Sequence, residues 1–162
     1  MSMTRRQCEI AAEAYAASLL ARSGYDVSVQ YGANQPGYDL VAVKDNRILL
    51  VSVKGSQDGG WMLASKYVKN ANNYLEAIDL WRCNQRQDLV YFFIQYSGCE
   101  LTLAPATYIA KCDDIATHLK SQFNGRGSSS LQEDYRKIHP NSKYDHKIPS
   151  EWAFTQVRID NI

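Results

Sequence analysis

No stretch of this chain is apolar for long enough to cross a membrane, and its first residues lack the apolar core of a secretory signal. The expectation is a soluble, cytoplasmic protein without a membrane partner. Cysteine is sparse, and Cys8, Cys83, Cys99 and Cys112 include no close pair. That spacing speaks against a zinc knuckle or a two-cysteine redox motif, and predicts free thiols used mainly as core filler. His118, His139 and His146 stand at no metal spacing from any cysteine, so no structural zinc is signalled. Charge of one sign is also lacking. Eighteen Lys and Arg against 17 Asp and Glu leave a net charge of +1, without the basic excess of an avid nucleic-acid binder. There is no internal repeat. What is present is a hydrophobic fraction of 45% and 11% aromatics over 162 residues. That suffices for a real core and reads as one domain spanning 1–162, with a mobile loop near 125–130 and a C-terminal extension over 131–162.

The strongest local pattern runs from Pro36-Gly37-Tyr38-Asp39-Leu40-Val41-Ala42-Val43 to Ile48-Leu49-Leu50-Val51-Ser52-Val53-Lys54-Gly55-Ser56. Two β-branched-rich runs flank Lys44-Asp45-Asn46-Arg47, which predicts a β-hairpin. Alternation puts Ile48, Leu50, Ser52 and Lys54 on one face of the second strand and Leu49, Val51 and Val53 on the other. Asp39 near the start of one strand therefore neighbours Ser52 and Lys54 on the next. An acid beside a lysine at a sheet end can hold a divalent cation and orient a water, with the lysine stabilising negative charge at phosphorus. The competing reading is structural: Asp39 terminates a turn and Lys54 snorkels to water.

Upstream, Arg5 to Arg22 is alanine-rich with no Gly or Pro, and reads as a helix. Thr4 is the predicted N-cap and Gly24 the stop. Ile10, Ala14, Ala17 and Ala21, with Leu20 beside them, are the predicted sheet-facing side. Glu13 sits among alanines with Glu9 as its one charged neighbour one turn away, an odd place for a carboxylate that only meets solvent.

Helix with embedded Glu13, strand near Gly24-Tyr25-Asp26-Val27, then Gly37-Tyr38-Asp39 and Val53-Lys54-Gly55-Ser56: this order resembles the PD-(D/E)xK nuclease superfamily, in its restriction-endonuclease-like and Holliday-junction-resolvase-like branch. The resemblance covers about the first hundred residues. It implies an α/β fold, a central mixed β-sheet flanked by helices in the order α-β-β-β-α-β. It also implies a Mg²⁺-dependent (or Mn²⁺-dependent) endonuclease acting on DNA. By that resemblance Glu13 matches the helix-one glutamate, Asp39 the metal-binding aspartate and Lys54 the catalytic lysine. Asp39, Glu13 and the Val53 backbone carbonyl would then be the metal ligands, and a homodimer is the usual arrangement for cutting both strands. Ser52 occupies the second acidic position and departs from the pattern. That departure keeps a second function open, a nuclease-fold subunit that binds nucleic acid or assembles with others without cleaving. If the site does cleave, the resemblance leaves Ser52 or Gln57 to hydrogen-bond a metal-bound water.

Beyond the hairpin, Gly59 and Gly60 allow either close approach to a ligand or a plain turn before Trp61. Lys66 to Gln85 reads as a helix with Tyr67, Ala71, Tyr74, Ile78 and Trp81 inward. Leu89 to Tyr96 is a continuous apolar strand of the doubly buried kind, with Leu101 to Ala104 as its expected hairpin partner. Pro105 is placed to begin a helix reaching about Lys120. Arg126, Arg136, Lys137, Lys143 and Lys147, interleaved with Tyr135 and Tyr144, form the candidate nucleic-acid surface. Glu133, Asp134 and Asp145 dilute it, which leaves an ordinary solvated loop as the alternative. Around Trp152 a short helix should offer Trp152, Phe154 and Val157 for packing on the domain or at a dimer contact.

Overall fold

The computed structural model describes residues 3–30, 37–122 and 130–162. Its architecture is mixed α/β, a five-stranded mixed sheet flanked by helices. The elements are α1 (Arg5–Arg22), β1 (Asp26–Val29), β2 (Leu40–Lys44), β3 (Arg47–Ser56), β4 (Gly60–Met62), a 3-10 helix (Ser65–Asn70), α2 (Tyr74–Cys83) and β5 (Leu89–Gln95). These are followed by β6 (Ala106–Lys111), α3 (Cys112–Ser121), β7 (Ser130–Gln132), α4 (Tyr135–Ile138), a 3-10 turn (Ser150–Trp152) and α5 (Gln156–Asn161). The strand order is β1-β2-β3-β5-β6. Among the described strands of this sheet only the β3–β5 pair is parallel, and α2 lies in the crossover that a parallel pair requires. β4 and β7 form a separate antiparallel pair.

The hairpin forms as the residues dictate. β2 and β3 pair antiparallel from Leu40↔Val51 to Lys44↔Arg47, and Asp45 takes the left-handed conformation at φ 52° in the two-residue turn. α1 starts at Thr4 with a complete capping box, in which Gln7 supplies the return bond, and Gly24 at φ 89° follows its end.

The buried side of α1 differs from the expectation. Cys8, Ala12, Ala16 and Leu20 face the sheet, whereas Ile10 is half exposed and Ala14 and Ala21 face solvent. Closeness decides this. A Cβ on Gly55 of β3 would lie 2.9 Å from the Cys8 carbonyl and 3.0 Å from the Ala12 Cβ, so the backbones nearly touch along a side that admits only small residues. This helix, with Leu49, Val51, Val53, Phe92, Ile94 and Ile159, makes one core. On the opposite face Trp61, Ile78, Trp81, Tyr91, Phe93, Ile115, Leu119 and Trp152 make the other. β5, inward on both faces, is buried at every position.

Four further expectations are corrected. The helix read over Lys66 to Gln85 is two pieces, because the Asn73 side chain caps α2 by accepting from the Glu76 N–H, and Asn72 donates to the Glu76 carboxylate. Leu101 and Leu103 are exposed turn residues rather than a strand, and the partner of β5 is β6. Pro105 thus precedes a strand, and the helix begins at Cys112. Near the C-terminus Trp152 is buried and Phe154 packs at a tilt against Phe92, but Val157 faces solvent. Arg47 clamps α5 to the hairpin by donating to the carbonyls of Ile159, Asp160 and Ile162 and to the Tyr25 hydroxyl. The four cysteines are free: Cys8 and Cys112 are buried, as core filler would be, while Cys83 is exposed and Cys99 partly so. Among the described residues no helix is long and apolar enough to cross a membrane.

Candidate active site

The β2–β3 ladder ends at Leu40↔Val51, with the Asp39 N–H donating to the Val51 carbonyl as its last step (2.8 Å). Two residues further along β3, Val53 turns its N–H to the same side, where no strand partner remains. The Asp39 carboxylate takes that place: its Oδ2 accepts from the Val53 N–H at 2.6 Å and from the Ser52 hydroxyl at 3.3 Å. A charge-assisted bond of this length fixes the carboxylate firmly. The backbone geometry that aims the Val53 N–H past the end of β2 aims its carbonyl the same way. The Asp39 carboxylate and the Val53 carbonyl thus lie on the edge of β3 that β2 leaves uncovered.

Ser52 and Lys54, on one face of β3, line a cleft of about 440 Å³ together with Asp39. Its walls include Leu63 and Trp81, and Lys66, Gln85 and Tyr91 add polar groups. The sequence reading missed these last three, since the crossover from β3 through α2 to β5 brings them in. Their one local signal is Tyr91, polar at its tip within an otherwise apolar strand. Tyr91 pairs with Ser52 in register and donates to the Gln85 Oε1 at 2.8 Å; Gln85 in turn donates to the Trp81 carbonyl at 3.0 Å. Burial holds the Tyr91 hydroxyl well above its ordinary range, so it stays a neutral donor.

Glu13 does not line this cleft. It stands on α1, half-buried, near enough to sense the same charges. Burial raises its carboxyl pKa first and the negative charge of Asp39 raises it further, against the opposing pull of Arg6 and Lys54. Among the described residues no three His, Cys, Asp or Glu side chains form a closed cage for a metal. The donor set fits an open site instead, the kind in which Mg²⁺ is held by one or two carboxylates, water and substrate phosphate.

The other candidates are placed as follows. Gln57 exchanges two hydrogen bonds with the Met3 backbone. The Gly59-Gly60 segment is a turn closed by the Ser56 hydroxyl, which accepts from the N–H groups of Asp58, Gly59 and Gly60. Arg136, Lys137, Lys143 and Lys147 lie around α4, and none lines the cleft. Lys137 is 3.9 Å from Glu133, Lys147 is 3.5 Å from Asp134, and Lys143 sits over the Tyr144 ring. Tyr135, His139, Tyr144 and His146 pack against one another. Pro36 and Arg126, with most of the glycine- and serine-rich stretch 125–130, lie outside the described residues.

The chain matches no protein-family model and no curated protein. Among solved structures it aligns with a bacterial homing endonuclease over 94% of this chain and 88% of that one, at 18% identity and a TM-score of 0.47. That degree of likeness is too low to assign an activity.

Proposed function

We propose that the protein is a Mg²⁺-dependent endonuclease of the PD-(D/E)xK type that hydrolyses phosphodiester bonds of DNA. The observation that carries this reading is the end of the β2–β3 ladder, where the Asp39 carboxylate, fixed by the Val53 N–H, lines an open cleft with Lys54. Asp39 and Val53 would hold the cation, Mg²⁺ or Mn²⁺, with Glu13 contributing directly or through water. Once bound, the ion would lower the pKa of a water and offset charge on the phosphate. Lys54 orients the attacking water and stabilises the negative charge that grows on the phosphoryl oxygens. Ser52 would help to hold the Asp39 carboxylate in place by donating to its Oδ2. Cutting both strands would take two such sites, one from each copy of a homodimer.

A second reading is favoured by one residue. Ser52 stands where the motif places an acid, and a hydroxyl is a weak Mg²⁺ ligand beside a carboxylate. The protein would then keep the fold and bind nucleic acid without cutting.

The test is cleavage of supercoiled plasmid in Mg²⁺ or Mn²⁺, alongside calorimetric titration of each metal into wild type, Asp39→Asn and Lys54→Ala. Asp39→Asn should lose both metal binding and cleavage. Lys54→Ala should keep metal binding and lose about 10²–10³ in rate, the usual cost of removing one transition-state charge stabiliser. Full cleavage by Asp39→Asn would remove this site from consideration. Binding of DNA with no metal uptake, in its presence or absence, would favour the second reading.

A further inference from the structure

We propose that Arg6 and Lys66 grip DNA phosphates on the two sides of the cleft, an inference that rests on the DNA-binding part of the function proposed above. α1 covers one face of the sheet and the 3-10 helix lies on the other. Both come close to the end of β3 that carries Lys54. The chain just before the α1 N-cap is tied there by Gln57, which accepts from the Met3 N–H at 2.7 Å and donates to the Met3 carbonyl at 2.9 Å. On the opposite face Lys66 is exposed and lines the same cleft as Asp39 and Lys54. The two cations therefore flank the candidate catalytic residues from opposite sides, which is where a polyanion crossing the sheet end presents its neighbouring phosphates.

Both are available for that task. The Arg6 side chain is 72% exposed, and its carboxylate neighbour is Glu9 at 3.7 Å, itself 42% exposed. An ion pair so open to water is worth about 0–1 kcal/mol, so a phosphate can displace it. No carboxylate pairs with Lys66 among the described residues; its ammonium rests 5.0 Å from the Tyr67 ring centre. The lysines around α4 differ, because Lys137 and Lys147 lie beside Glu133 and Asp134, both largely shielded from solvent. A need for rim cations also follows from the site itself. Glu13 and Asp39 repel an incoming phosphate, and Arg6 is near enough to Glu13 to oppose that charge.

The experiment is anisotropy of a fluorescein-labelled DNA duplex without divalent cation, read as affinity against salt. Wild type is compared with Arg6→Gln, Lys66→Gln and, as a contrast, the double variant Lys137→Gln/Lys147→Gln. Each phosphate contact contributes about 0.9 to the slope of log affinity on log salt. Arg6→Gln and Lys66→Gln should each flatten the slope by about that amount, and the contrast variant should leave it unchanged. An unchanged slope in the first two, a flattened one in the contrast variant, or no duplex binding by wild type would overturn the proposal. Mg²⁺-dependent cleavage of the same duplex separates it from the nuclease reading. Flattened slopes without wild-type cleavage would keep the grip and remove the nuclease. Cleavage with unchanged slopes would do the reverse.

Discussion

Glu13 rides on α1 among alanines, and burial together with the charge of Asp39 holds its carboxyl pKa above the ordinary 4.5. A folded-state pKa raised in this way makes the ionised form a burden. The folded protein binds the proton more tightly than the unfolded chain, so stability falls as pH rises through the interval above 4.5. Glu13→Gln should therefore raise Tm at pH 7, by roughly 1–3 °C once solvent screening is allowed for. The gain should vanish in melts run below that interval. The same variant should lose metal-dependent cleavage, a trade of stability against activity found where a site gathers like charges. Ser52 allows the converse experiment. Its hydroxyl is buried and donates to Asp39. Ser52→Asp would place a second carboxylate against the first in a water-poor position, and should cost about 1–3 kcal/mol without metal. Mg²⁺ should bind this variant more tightly than wild type and recover much of that loss, seen as a Tm that rises with Mg²⁺ concentration.

Gly55 directly follows Lys54 and decides how α1 lies on the sheet. A methyl group there would stand 2.9 Å from both the carbonyl oxygen and the Sγ of Cys8. The carbonyl belongs to helix backbone and cannot swing aside, so Gly55→Ala should push α1 outward. We expect a loss of about 1–3 kcal/mol in urea unfolding, the usual range for overpacking, and a fall in cleavage as Glu13 moves from Asp39. Gly55 is thus explained by the packing of α1 on β3. It also shows which elements the residues announce. The hairpin was legible because alternation, β-branching and a two-residue turn agree, and α1 because Thr4 and Gly24 mark its ends. Its buried side was not legible, because an alanine-rich helix is selected by closeness of approach, and Gly55 is distant in sequence. Asn72 and Asn73 broke a run of apolar spacing that otherwise read as one helix, and Pro105 suited a strand as well as a helix. Strand alternation put Ser52 and Lys54 on one face, and hairpin pairing put Asp39 beside Ser52. Lys66, Gln85 and Tyr91 reach the cleft only through a parallel crossover, which no local pattern encodes.

Across the whole molecule, the two faces of the sheet answer acid in opposite ways. On the α1 face, protonating Glu13 relieves a charge. On the other, His118 packs edge-on against Trp152, with Glu151 and His146 among the charged or titratable groups around it, and burial leads the causes that hold its pKa below 6.5. The Gln122 amide nitrogen lies 3.0 Å from its Nε2, a geometry that suits a neutral ring accepting a hydrogen bond and sets donor against donor in the charged one. A depressed histidine pKa means that the unfolded chain takes up the proton first. Its contribution is complete above pH 6.5 and is lost as pH falls through the interval below. As pH falls the two groups therefore oppose each other, the histidine weakening the fold while the glutamate strengthens it. Separating them takes both variants. On acidification below pH 6.5, His118→Gln should lose less stability in urea unfolding than wild type, and Glu13→Gln should lose more. If His118→Gln declined as wild type does, the core around Trp152 would not be the acid-sensitive part of the fold.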